Sequence, residues 1–365
     1  MNRTYFPSLT GLRAIAAFTV LFTHVERYRS SLGKTLLDMP FNSFIGGLAV
    51  SFFFVLSGFL ISYLLLHEKE KTGTIDIGGF LKKRALRIWP LYYAALIAGY
   101  VISIYILKDT SPNLLANGFL LNLFLLPNLA FALNLIPEIL IQIWSIGTEE
   151  QFYFIWPFLV RKAPVHKLVR IFSGILLAWL LLRGGAHFLG KEYEWVNIFL
   201  YRTRIDCMAI GGLGALLLLY KDKPGTWMAR AYSMVLHPLT GWIGGVLFCS
   251  LLLLSKHYDI SFYQLYALLF GILILRMIHR PSRLLESAPL KYLGKISYGI
   301  YLLHQFAIYF LCRNFPSLTN GFKDSPRGDL VLFALAGLLA VLAASISYAL
   351  RIRRRNTLSP YSALS

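Results

Sequence analysis

The chain has 365 residues, 57% of them hydrophobic, with a mean hydropathy of +0.60 and a formal net charge of +19. Water-soluble domains carry a lower apolar fraction and lack repeated apolar runs of about 18 residues or more, so the composition excludes one. On a soluble protein the charge would point to nucleic acid; here Lys and Arg gather in short loops between apolar runs, as the positive-inside rule directs, and no nucleic-acid partner is expected.

In chain order the apolar runs fall at about 9–29, 42–66, 89–107, 114–134, 144–160, 168–185, 203–220, 235–254, 261–277, 296–313 and 329–350. The first lacks a small-residue cleavage site and reads as a retained span, not a signal peptide. Basic clusters follow many of the runs: Lys82, Lys83 and Arg84 with Arg87; Arg161, Lys162 and Lys167; Lys221 and Lys223; Arg276, Arg280 and Arg283; and Arg351 with Arg353, Arg354 and Arg355. If the N-terminus is cytoplasmic and all eleven runs cross, the cluster at 82–87 is inside but every later one falls outside. Ten crossings repair this, so one segment between Asp109 and Pro157 fails to cross or is half of a broken helix. Asn113, Asn117, Asn122 and Asn128 crowd the fourth run, with Pro127 among them. Broken backbone at membrane depth survives only where it is buried in protein or lines a cavity, which places a cavity near residues 113–150.

The expected fold is therefore an all-α integral membrane protein, a polytopic bundle of about ten transmembrane helices plus a broken or re-entrant segment. It forms a single domain over 1–365, with its last span at about 329–350, a short basic cytoplasmic tail at 351–365, both termini cytoplasmic, and membrane lipid around it. Cys207, Cys249 and Cys312 are scattered in apolar surroundings and read as packing residues, with neither metal-ligand spacing nor a disulfide framework.

Ionisable residues inside spans are functional candidates by default. Arg13 and His24 are eleven residues apart, close to three helical turns, so they share a face and lie about 16 Å apart along the axis. Arg13 could instead snorkel to the inner interface, and His24 could be a polar packing residue. In the run from Trp144, the residues Ser145, Glu149 and Tyr153 share a face, while Glu150 points about 100° around the helix. Arg202 and Asp206 stand at i, i+4 and suggest a local ion pair beside Arg204. Ser297, Tyr301 and His304 share a face of the tenth run, where belt and packing roles are an equal alternative. Ser57-Gly58 in the second run most simply allows close helix packing; no base is identifiable beside Ser57. A Gly-x-Ser-x-Gly elbow, a Walker loop and His-x-x-x-His spacing are absent, and no metal is expected.

At these residues the chain resembles the acyltransferase 3 family of membrane O-acyltransferases, which includes bacterial enzymes acetylating O-antigen, exopolysaccharide, peptidoglycan and other surface glycans. The resemblance is carried by Arg13 and His24 within their run; by Phe53-Phe54-Val55-Leu56-Ser57-Gly58-Phe59; by Arg84-Ala85-Leu86-Arg87 leading into Ile88-Trp89-Pro90; by Trp144-Ser145-Ile146 with Glu149, Phe152, Tyr153 and Pro157; by Arg204 and Asp206 with Gly211; and by Ser297-Tyr298 with Tyr301, Leu302 and His304. It departs at Ser51, where many relatives have Asp, at Ala49, where they have Gly, and at Ile146, where Leu is usual. Two-domain relatives also carry a soluble esterase-like domain after the last span, and none is expected in this chain.

The resemblance implies transfer of an acyl group from a cytoplasmic donor, acetyl-CoA or another acyl-CoA, to a hydroxyl of a glycan or lipid-linked saccharide, in the bacterial inner membrane. In that scheme Lys82, Lys83, Arg84 and Arg87 bind the phosphates of CoA, although plain positive-inside charge also explains them. Arg13 orients or charge-stabilises the donor. His24 acts as general base on the acceptor or briefly carries the acyl group. Glu149 orients His24 or takes a proton, and Ser145, Tyr153, Arg204, Asp206, Tyr301 and His304 shape the substrate site. A polytopic transporter or flippase is the alternative, because intramembrane His, Glu, Asp and Arg serve proton relays; the inverted repeats of many transporters are not seen. A sensor or assembly subunit on the same fold is a second alternative, against which the presence of both Arg13 and His24 argues.

Overall fold

The structure is a computed structural model that describes residues 5–31, 39–108, 111–258, 263–315 and 326–358. Helix makes up 86% of it, with no strand among the described residues, so the fold is all-α. The helices are α1 (Leu9–Ser31), α2 (Met39–Thr72), α3 (Ile77–Tyr105), α4 (Phe119–Leu123), α5 (Pro127–Ala132), α6 (Trp144–Lys162), α7 (Val165–Ala186), α8 (Glu194–Arg202), α9 (Ile205–Leu219), α10 (Trp227–Leu236), α11 (Pro238–Tyr258), α12 (Tyr263–His279), α13 (Ala288–Asn314) and α14 (Pro326–Leu358). Among the described residues six of these, α1, α2, α3, α7, α11 and α14, are long and apolar enough to cross a membrane. The chain is a multi-pass membrane protein.

The apolar part of the last helix spans Leu330–Ile352, and α14 continues beyond it to Leu358. Arginine is a good helix former, and no Gly or Pro interrupts the sequence before Pro360. Residues 359–365 of the expected tail, and Asp109, lie outside the described residues.

The chain divides into two compact units. One comprises Met1–Leu9 and Gly47–Ser282, the other Thr10–Gly46 and Arg283–Ser365. In the first, α2 crosses α9 at backbone contact: a Cβ on Gly58 would strike the Met208 carbonyl, and one on Gly211 the Val55 carbonyl. Such small residues let helices approach where no hydrophobic effect drives them together. Against α6, α2 is tied by Trp156 Nε1 donating to Ser62 Oγ at 2.7 Å, and by Lys69 Nζ donating to the carbonyls of Val160 (2.8 Å) and Ala163 (2.9 Å). Lys69 thereby serves carbonyls that the C-terminal end of α6 leaves without helical partners.

Between α3 and α6 the chain breaks. A π-helical turn (Leu114–Gly118) leads into α4, then α5, then a 3-10 turn (Glu138–Ile143). Leu125 (φ 61°) and Asn134 (φ 55°) take left-handed backbone, which non-glycine residues adopt only where surroundings enforce it. This is the fourth apolar run, inside the interval that charge parity singled out. Its freed backbone groups are met by side chains. Tyr92 donates to the Asn122 carbonyl at 2.7 Å and Tyr93 to the Leu123 carbonyl at 3.1 Å. Asn122 Nδ2 donates to Tyr100 Oη at 3.0 Å, and Gln151 donates to Asn128 at 2.8 Å. Asn122 and Asn128 are buried; Asn113 and Asn117 are exposed.

In the second unit α13 packs on α14 through Gly299, whose Cβ would lie 2.8 Å from that of Ala344, and through the buried alanines 336, 340 and 344. Within the same unit Phe18 and Phe22 of α1 meet Phe333 edge-on at 6.3 and 5.6 Å.

The α2–α9 crossing predicts an asymmetry between two glycines of α9. Gly211→Val drives a side chain into backbone that cannot rotate away, and should destabilise the protein by on the order of 1–3 kcal/mol. Gly214→Ala, whose Cβ would sit 3.6 Å from Phe59 in ordinary contact, should stay within about 0.5 kcal/mol of wild type. Thermal unfolding of the detergent-solubilised protein reads both.

Candidate active site

The first turns of α6 carry the acidic stretch. Ser145 donates back to the Gln142 carbonyl at 3.3 Å and is buried. One turn on, Glu149 Oε1 accepts a hydrogen bond from Ser57 Oγ of α2 at 2.7 Å. Tyr153 Oη donates to Glu149 Oε2 at 3.4 Å and stands 3.4 Å from Ser57 Oγ. Ser57, which the sequence leaves without a base, therefore has a carboxylate beside it. Ser57 and Glu149 are both half-buried.

Glu150 diverges from its neighbour, as a 100° step requires. Its Oε2 accepts from Trp89 Nε1 of α3 at 2.8 Å, while its buried Oε1 has no hydrogen-bond partner among the described residues. Both carboxylates therefore face α2 or α3, but through different donors.

Beside Glu150 lies a pocket of about 220 Å³, with Lys82, Arg84, Trp89, Glu150, Tyr153 and Phe154 among its lining residues. The half-buried Arg84 guanidinium stands 5.4 Å from the Phe80 ring and 5.6 Å from the Tyr153 ring, within cation–π reach of both. Lys83 and Arg87 are exposed on the same helix. Of the four basic candidates the structure thus places two, Lys82 and Arg84, at the pocket.

Elsewhere in this unit the Arg202–Asp206 ion pair is not formed. Helix α8 ends at Arg202 and α9 begins at Ile205, so the continuous helix that i, i+4 pairing assumes is interrupted. Asp206 instead accepts from Arg183 of α7 at 3.0 Å and from Gln264 of α12 at 2.8 Å. Arg202 lies over the rings of Phe131 (4.5 Å) and Trp144 (5.0 Å). Arg204 is fully buried; its Nη1 donates to the Gly47 carbonyl at 2.6 Å and to Ser51 Oγ at 2.7 Å, and its Nε to the Tyr201 carbonyl at 3.1 Å.

In the second unit Arg13 and His24 are half-buried on α1. The His24 Nδ1 is hydrogen-bonded to the Gln305 amide at 2.5 Å, and its ring meets that of His304 edge-on at 5.0 Å. His304 is fully buried with its Nδ1 on the Tyr301 carbonyl at 2.6 Å, and Tyr301 is itself buried. Among the described residues no group of three or more His, Cys, Asp or Glu is placed to hold a metal ion.

Residues 6–350 match a family model described as an acyltransferase domain. The chain belongs to the acyltransferase 3 family. It is 27% identical over 322 residues to the peptidoglycan O-acetyltransferase OatA of Listeria monocytogenes, a match covering 83% of this chain and 49% of that protein. A Bacillus subtilis protein named "Putative peptidoglycan O-acetyltransferase YrhL" is 28% identical over 333 residues, covering 83% of this chain and 48% of its own. The chain spans about half the length of the curated relatives it matches. No solved structure matches it.

Ser57 as the partner of Glu149, Trp89 as the partner of Glu150, Gln305 as the partner of His24 and Arg183 as the partner of Asp206 were all missed by sequence reasoning. Each pairing joins separate elements, and no spacing rule reports it.

The Asp206 arrangement is open to measurement. Its side chain is fully buried while that of Arg183 is 18% exposed. Removing one partner of a buried pair costs about 3–5 kcal/mol, whereas removing both costs less than the sum. Arg183→Met and Asp206→Asn should each lower the thermal unfolding midpoint of the acyltransferase domain, with the double variant close to the worse single one. Additive losses would mean that the two side chains are not coupled.

Proposed function

We propose that the chain transfers an acetyl group from acetyl-CoA to a hydroxyl of a glycan or lipid-linked saccharide. It does so in the bacterial inner membrane, with ten crossings and both termini cytoplasmic. The observation that carries this reading is the family match over residues 6–350. Acetyl as the group and peptidoglycan as the first acceptor to test follow from the relatives' names. Charge parity supports the ten crossings, with the broken stretch at 114–143 as the segment that does not span.

The pocket supports a donor of CoA type. Arg84 and Lys82 offer cationic donors for phosphate oxygens, Arg84 in bidentate fashion. Glu150 Oε1, which has no hydrogen-bond partner among the described residues, can accept from an N–H or O–H donor, and the adenine amino and pantetheine amide groups of CoA supply such donors. At about 220 Å³ the pocket is smaller than an ordinary small-molecule site, so it would take one part of the donor, with the exposed Lys83 and Arg87 serving the rest. To Arg13 and His24 we assign the roles that the resemblance implies: Arg13 as the charge that steadies the reacting group, and His24 as general base on the acceptor hydroxyl.

Mass spectrometry of surface glycans from deletion and complemented strains tests the reading. Complementation should add one acetyl mass to a glycan, peptidoglycan first, and His24→Ala expressed at normal level should not. Transport of labelled glycan without acylation would favour a carrier. In purified protein, Arg84→Gln should raise the KM for acetyl-CoA about tenfold, the effect of one charge-assisted hydrogen bond, with a smaller change in kcat. An unchanged KM would remove Arg84 from donor binding.

A further inference from the structure

We propose that Ser57 carries the acyl group between donor and acceptor as an O-acyl ester, with Glu149 as its general base. The inference rests on the acyl-transfer reading above and goes beyond it by assigning a covalent carrier and its activating carboxylate.

The hydroxyl's direction is the first argument. A Ser or Thr in an apolar helix commonly donates back to a carbonyl three or four residues earlier. Here Thr19, Thr23 and Ser345 do so, to Ile15, Val20 and Val341. Ser57 instead sends its proton across to a carboxylate on another helix, at a distance in the charge-assisted range. Nucleophile and base are within reach, and Tyr153 Oη stands 3.4 Å from each as a third, orienting group.

The second argument is rigidity. The α2–α6 interface is fastened at three levels along α2: Ser57 on Glu149, Ser62 on Trp156, and Lys69 on Val160 and Ala163. Gly58, adjacent to Ser57, lies against the Met208 backbone and fixes the other side of α2. A reacting pair held on packed helices in this way is preorganised.

Access is the third. Ser57 and Glu149 are half-buried rather than sealed, and Tyr153 belongs both to their cluster and to the wall of the pocket that Arg84 lines. An acyl thioester seated there lies against Tyr153, next to this cluster.

The step balances without a redox partner. Ser57 Oγ attacks the thioester carbonyl carbon and loses its proton to Glu149; the O–C bond forms, the C–S bond breaks, and the departing thiolate takes the proton. In the second half the acceptor hydroxyl gives its proton to its general base and attacks the ester carbonyl, a new O–C bond forms, the bond to Oγ breaks, and that proton is delivered to Ser57 Oγ.

Incubating the purified full-length chain with acetyl-CoA bearing a deuterated acetyl group, then quenching in acid and mapping peptides by mass, tests this. The peptide holding Ser57 should gain one labelled acetyl, and the label should leave when acceptor glycan is added. Ser57→Ala and Glu149→Gln should each lose the label and slow transfer by about a hundredfold or more. Ser57→Cys should take the label as a thioester that neutral hydroxylamine releases; it decides the matter if Ser57→Ala does not run as a single species on size exclusion. Turnover by wild type with Ser57 unlabelled, turnover by Ser57→Ala at the wild-type rate, or a label that persists after acceptor is added would each overturn the carrier and leave acyl transfer standing. No thiol release from acetyl-CoA by wild type would overturn both.

Discussion

A bilayer core offers no hydrogen bonds, so every polar group at membrane depth must find its partner within the protein. The broken stretch between α3 and α6 shows what this demands. Tyrosines 92 and 93 of α3 donate to peptide carbonyls that the break in the helix frees, and Tyr100 accepts from the Asn122 amide. Asn128 and Gln151 close on each other, and Asn128 also donates to Thr203 at 2.9 Å. The amides that seemed to crowd an apolar run are therefore two kinds of residue: Asn122 and Asn128 are internal connectors, and Asn113 and Asn117 are exposed.

The same demand places the two carboxylates of α6. Glu149 and Glu150 are neighbours on α6 that cannot share one donor, so the helix turns one toward Ser57 and the other toward Trp89. That divergence gives two sites with different properties. The Glu149 side brings together a hydroxyl, a carboxylate and a phenol. The Glu150 side opens on the pocket and retains a buried oxygen with no partner among the described residues. One side is suited to moving a proton, the other to receiving a ligand that brings a donor.

Much of the fold is legible in the sequence because lipid imposes long apolar helices, and hydropathy reports them directly. Charge parity, read independently of hydropathy, singles out an interval in which the helix is broken. Within the site, helical spacing captures what one helix can: Tyr153 does reach Glu149 at i, i+4. It fails where the helix is interrupted, as between Arg202 and Asp206, because Thr203 and Arg204 carry no Gly or Pro to signal the break. It is silent on pairs between elements. Ser57 and Glu149 lie 92 residues apart, and a serine followed by glycine in an apolar run looks the same whether it packs or reacts.

Arg204 shows how far the demand for partners reaches. Its guanidinium is fully buried, yet its hydrogen bonds go to two carbonyls and a hydroxyl, and Nη2 has no partner among the described residues. Many relatives, by the resemblance, carry Asp where Ser51 stands, and a carboxylate there would neutralise the cation. With Ser51 there, the partners of the charge among the described residues are dipoles and the faces of Tyr263 (3.7 Å) and Tyr201 (5.2 Å). Asp206, two residues away in sequence, is already engaged by Arg183 and Gln264. Burying an ion without a counter-ion carries a desolvation penalty of several kcal/mol, which the packing of α2, α9 and α12 around Arg204 must offset. Those acceptors and ring faces hold the cation within the same unit that carries the Ser57–Glu149 pair.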